Sequence, residues 1–102
     1  MADFRLRREE TLDAERLRAM LDESPARAAQ AILIAAREGE LEAQALLGQI
    51  LLDGQGIAQD QPLAVRWFGI AAQQGHLMAR NMLGRCHEHG WGCVVDAAVA
   101  AR

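Results

Sequence analysis

The chain has 102 residues, of which 51% are hydrophobic and 25% charged; eleven basic and fourteen acidic side chains leave a net charge of −3. This is one domain with enough apolar residues for its own core, which excludes a disordered segment, and its acidic balance excludes a general nucleic-acid binder. Every basic residue is Arg and the only hydroxyl side chains are Ser24 and Thr11, which removes Schiff-base lysines, phosphate-loop lysines and Ser-x-x-Lys acyl-enzymes.

Aromatics are 4% with no Tyr, alanine is the commonest residue, and β-branched residues are scarce. That balance predicts an all-α fold. At the N-terminus Arg5, Arg7 and Arg8 stand beside Glu9 and Glu10, a polar, frayed end with no apolar run for a Sec signal. No window of eighteen apolar residues occurs, so no membrane span is expected. The expected compartment is the cytoplasm, with Cys86 and Cys93 reduced.

The first predicted helix covers residues 9–22, with Leu12, Leu17, Met20 and Leu21 on one face. Ser24-Pro25 starts a second helix that ends before Gly39. A third runs over about 40–53 and is closed by Gly54-Gln55-Gly56. Asp60 is an N-cap and Pro62 fits the first turn of a fourth helix, ending near Gln74. Leu63, Trp67, Ile70 and Ala71 form its apolar stripe, and Gly75 supplies a left-handed C-cap. A fifth helix, about 76–89, turns Ala79, Met82, Leu83 and Cys86 inward and is closed by Gly90-Trp91-Gly92. Residues 97–102 read as the first two turns of another helix. The sequence therefore predicts either a fragment of a longer repeat protein or an edge completed by self-association.

An internal repeat governs these elements. An offset of 36 joins Leu47-Gly48 to Leu83-Gly84, Ala35-Ala36 to Ala71-Ala72, Gly39 to Gly75, Ala43 to Ala79 and Leu46 to Met82. It also joins Gly54 to Gly90, Gly56 to Gly92, Asp60 to Asp96 and Ala64 to Ala100, and extends back to pair Ser24 with Asp60, Ala28 with Ala64, Ala31 with Trp67 and Ile34 with Ile70. Residues 1–23 fall outside the register and supply a capping helix, whereas 24–102 are repeats, one complete and the last truncated. Gly48 and Gly84 sit inside helices, where Gly costs about 1 kcal/mol relative to Ala. Their recurrence predicts that a neighbouring helix backbone passes close.

Ala43, Leu47-Gly48, Gly54, Gly56, Asp60, Ala64, Trp67, Ala71-Ala72 and Gly75-His76 together resemble the Sel-1-like repeat, a relative of the tetratricopeptide repeat. The resemblance covers residues 24–102. It implies a right-handed α-α solenoid of antiparallel helix pairs that serves as a protein-interaction scaffold. One departure stands out: the aromatic that usually follows Leu-Gly is replaced by Leu51 and His87, which predicts looser packing at that layer.

Cys86-His87-Glu88-His89 with Cys93 is the cluster with metal-ligand types, and two thiolates and an imidazole could meet at one zinc. Cys86 and Cys93, however, take the repeat positions of Ile50 and Ile57, so core residues are expected ahead of a metal site or a disulfide. A Cys86–His89 nucleophilic pair lacks an oxyanion site, and no enzyme, cofactor or metal is expected. Glu38, Glu40 and Glu42 read as a solvated face, and His76 as a structural residue at a helix start. Trp67 reads as core and Trp91, between two glycines, as an exposed interface anchor. The expected function is non-enzymatic binding of another protein or peptide on the concave surface, through Gln44, Gln49, Asn81, Arg85, Glu88 and Trp91. A homo-oligomeric structural module is the alternative; neither nucleic acid nor membrane is an expected partner.

Overall fold

The computed structural model describes residues 14–93. The basic N-terminal run, the start of the first helix and residues 97–102 lie outside the described residues. Five helices follow one another: α1 (Ala14–Glu23), α2 (Pro25–Arg37), α3 (Leu41–Asp53), α4 (Gln61–Gln73) and α5 (Leu77–His89). No strand occurs among the described residues. The last four helices have 13 residues each, and the starts of α2 and α4, like those of α3 and α5, are offset by 36. The sequence period is thus the structural period.

Local chemistry sets the ends. Asp60 Oδ1 accepts the Leu63 N–H at 3.1 Å, the cap that the sequence predicts. Ser24 makes no such bond; α2 starts on Pro25, whose missing N–H is no loss there. At the other end Gly39 N donates to Ala36 O and Glu40 N to Ala35 O, and one period later Gly75 N donates to Ala72 O and His76 N to Ala71 O. The same pair of bonds closes α2 and α4, with Gly39 and Gly75 in left-handed backbone conformations. Ser24 alone separates α1 from α2, so residues that form a loop in the next repeat are helical here. α1 packs against α2, with Leu21 buried.

Each helix packs on its neighbours in the chain, and α3 also touches α5. Short connections make neighbours antiparallel, and the stack is an all-α, right-handed solenoid. Its extents, 50 × 25 × 19 Å, show the elongation of a one-dimensional stack.

The core is a ladder of register pairs without exposed surface: Ala28 and Ala64, Ile32 and Phe68, Ile50 and Cys86. Ala71 of the expected apolar stripe is buried, but Leu63, Trp67 and Ile70 each give way to the next residue, about 100° around the helix. Ala64, Phe68 and Ala71 face inward; Leu63 and Trp67 pack at the margin, and Ile70 and its counterpart Ile34 are 41% and 58% exposed. Trp67, expected in the core, is half-buried. The reason is the contact made by Phe68. A Cβ on Gly48 would stand 2.7 Å from its ring, so only the residue at 68 can use that hollow. The close neighbour of Gly48 is therefore an aromatic side chain rather than a backbone. Leu51, where looser packing was expected, is almost wholly enclosed.

The second glycine of each Gly-x-Gly loop reaches back one helix pair. A Cβ on Gly56 would collide with the carbonyl of Pro25, and one on Gly92 with that of Gln61. Each loop thus sits on the N-terminus of the preceding repeat's last helix.

Two helical glycines separate packing from propensity. Gly69 has open space around it, so Gly69→Ala should stabilise by about 1 kcal/mol. Gly48→Ala should instead destabilise by roughly 1–3 kcal/mol, because the buried Phe68 ring must move. Urea denaturation midpoints that shift in the same direction for both variants would refute this reading of the α3–α4 contact.

Candidate functional site

α3 and α5 open successive repeats and carry most of the residues predicted to bind a partner. Gln49 and Arg85 share one register position. Gln49 is half-buried and donates from Nε2 to Asp53 Oδ2 at 3.1 Å, and Arg85 is exposed. Asn81, Arg85 and Glu88 are spaced by four and three residues, lie on one side of α5, and are all exposed. Asn81 and Glu88 align with Ala45 and Leu52, which are 0% and 7% exposed in α3. Their position is a stacking surface in the first repeat, whereas that of Gln49 and Arg85 stays outside the core in both.

Gln44 is a correction. Expected among the non-core positions, it is 6% exposed and fully engaged. Its Nε2 donates to the Ala36 carbonyl at 3.3 Å, and its Oε1 accepts from Gln74 Nε2 at 2.6 Å. A buried amide must find such partners, and Gln44 finds them at the C-terminal ends of α2 and α4. It stitches three helices together and presents nothing to a ligand. Trp91 is half-buried rather than exposed. Its indole stacks on His89 with centroids 4.6 Å apart and planes at 23°, while His89 Nε2 lies 3.7 Å from Glu88 Oε1.

His76 has the structural role that the sequence predicts, with an addition. Its Nδ1 accepts the Ala79 N–H at 3.1 Å and caps α5, and its Nε2 lies 3.0 Å from Glu42 Oε2. Because the cap needs the Nδ1 lone pair, the ring proton sits on Nε2 and is donated to Glu42. Glu42, read from sequence as part of a solvated face, thereby ties α3 to the start of α5. No local signal in the sequence marks this partner across 34 residues.

His89 stacks on Trp91 and lies near Glu88 rather than pairing with Cys86. Cys86 is fully buried, and burial, with a smaller contribution from Cys93, pushes its thiol up from 9.0 to about 11. The histidine that meets a cysteine is His87, with Nδ1 3.5 Å from Cys93 Sγ. Among the described residues no group of three or more His, Cys, Asp or Glu side chains is arranged to hold a metal, and no helix is long and apolar enough to cross a membrane.

The Sel1 repeat family matches residues 41–76 and 77–102, more than half of the chain. The chain belongs to the Sel1 repeat family. Members of that family are generally protein-interaction scaffolds and typically non-enzymatic. The crystal structure of a Sel1 repeat protein from Oxalobacter formigenes superposes with a TM-score of 0.70 at 34% identity, over 72% of this chain and 56% of that one. A protective antigen present in uropathogenic Escherichia coli strains, which displays an SLR fold, gives a TM-score of 0.80 at 32% identity, over 85% of this chain and 20% of that one. This chain thus spans about half of the first structure and a fifth of the second. No curated protein matches the sequence.

Two outcomes follow from the Sel1 repeat junction and its buried thiol. His76→Ala should destabilise by about 1 kcal/mol, and His76→Asn, which keeps a capping side chain, should recover most of the loss in urea denaturation. Above pH 9.0 the unfolded Cys86 gives up its proton while the native thiol holds it, so alkali favours unfolding. The stability that Cys86 contributes should be complete below that pH and fall as pH rises toward about 11. Urea midpoints measured under reducing conditions should show Cys86→Val losing less stability than wild type over this range.

Proposed function

We propose that this Sel1 repeat chain is a non-enzymatic interaction module that binds another protein or peptide along the concave, inner helices of its solenoid. Gln49 and Arg85 form the central row, with Asn81, Glu88 and Trp91 beside it. The observation that carries this reading is the register position of Gln49 and Arg85, which stays outside the core in both repeats. A polar side chain recurring once per repeat along a stack suits an extended peptide, and an Arg guanidinium suits its carbonyls or carboxylates. Full burial closes the protonated Cys86 to an external substrate, in keeping with a non-enzymatic module. The cytoplasm is the proposed setting, where thiols such as Cys86 and Cys93 are kept reduced.

A second reading, self-assembly through α5, has its own support. Leu77 is 70% exposed, and Asn81 and Glu88 stand at positions that the first repeat buries. Light scattering of the purified chain separates the two, because a module that only binds a partner stays monomeric.

Charge reversal in Arg85→Glu should weaken capture of the partner from host lysate at least tenfold, about 1.4 kcal/mol, with unchanged helicity by circular dichroism. Equal recovery by wild type and variant would remove the central row from the binding face.

A further inference from the structure

Three apolar residues of the first repeat have polar or reactive counterparts in the second. Ile50, Leu51 and Ile57 become Cys86, His87 and Cys93 at the same register positions. In the structure these replacements converge. Left-handed backbone at Gly90 and Gly92 folds the Gly90-Trp91-Gly92 turn back over the end of α5. Cys93 Sγ then lies 3.5 Å from the Cys86 carbonyl oxygen, 3.5 Å from His87 Nδ1 and 3.7 Å from the Trp91 carbonyl oxygen. Both cysteines are thiols, and they differ in access: Cys93 is half-buried and Cys86 has no exposed surface. A partly exposed sulfur beside an imidazole, touching the backbone carbonyl of a residue whose own thiol is shielded, suits stepwise thiol–disulfide exchange.

We propose that Cys93 is a modification site for low-molecular-weight disulfides such as glutathione disulfide, with Cys86 as its resolving thiol. His87 Nδ1 takes the Cys93 proton, and the thiolate attacks one sulfur of glutathione disulfide. The Cys93–glutathione bond forms, the glutathione S–S bond breaks, and the departing sulfur takes the proton from His87. Cys86 then gives up its proton and its thiolate attacks the Cys93 sulfur; the Cys86–Cys93 bond forms, the mixed disulfide breaks, and the departing second glutathione takes that proton. Two protein thiols are oxidised and one disulfide is reduced to two thiols. The product pins the turn to α5 in the way that the Ile50 and Ile57 positions are held by packing in the first repeat. Because burial holds Cys86 in its thiol form, the first attack falls to Cys93.

The test exposes wild type, Cys86→Val and Cys93→Ala to glutathione disulfide at neutral pH, with intact mass as the readout. Wild type should lose two hydrogens with no added mass, and Cys86→Val should stop with one glutathione attached. Cys93→Ala should react at least tenfold more slowly than wild type. His87→Gln should slow the first step and change its pH–rate profile while leaving helicity unchanged, and Cys86→Ser serves if the Val variant fails to fold. Equal reactivity of Cys86→Val and Cys93→Ala would overturn the assignment. So would a disulfide found only between chains, or thiols that persist in the native protein under conditions that oxidise it in urea.

Discussion

Phe68 lies against Gly48 at a distance that leaves no room for any side chain at position 48. The ring is fully enclosed, flanked on its own helix by Ala64 and Ala71, which are equally buried. Small residues on both helices let α3 and α4 approach closely, and that approach brings the rest of the junction into range. Gln44 can reach Gln74 at the end of α4, and Glu42 can reach His76 just beyond it. The polar stitching between repeats therefore depends on an apolar contact. A bulkier residue at 48 would disturb a ring, two hydrogen-bonded amides and a helix cap together.

Much of the fold was legible because its punctuation is local. Asp60, Pro62, Gly54, Gly75 and Gly90 act through the backbone within a turn of themselves, so the sequence alone placed the last four helices to within about two residues. Their rotation was not legible. Residues 63, 67 and 70 and residues 64, 68 and 71 both fit helical spacing, and the choice is made by the hollow at Gly48, on another helix. Gln44 failed for the same kind of reason. An amide looks like a surface residue until its partners are known, and those lie eight and thirty residues away. The register placed Cys86 and Cys93 in apolar slots, and Cys86 is indeed buried; the convergence of Cys93 on His87 needed the folded turn.

The internal repeat is also a control on the surface. Wherever a position is buried in α3 and exposed in α5, its exposure reflects what surrounds α5 rather than the character of the residue. Asn81 and Glu88 fall in this class. The Gln49 and Arg85 position does not, because it lies outside the core in two different surroundings. Side chains there are free to vary without a packing penalty, and in a repeat stack such positions can diversify while the architecture holds.

The backward reach of the Gly-x-Gly loops bears on how the chain comes to be folded. Gly56 settles on Pro25, and the other contacts that define the junction span 20 to 34 residues: Gly48 to Phe68, Gln44 to Gln74, Glu42 to His76. None of them waits for a distant end of the polypeptide. Such short-range topology favours rapid folding, and on the ribosome it lets each helix pair be sealed as soon as the following loop emerges. Synthesis from the N-terminus then runs in the same direction as assembly: α1 is made before α2, against which it packs, and each further turn of the solenoid meets a surface already formed.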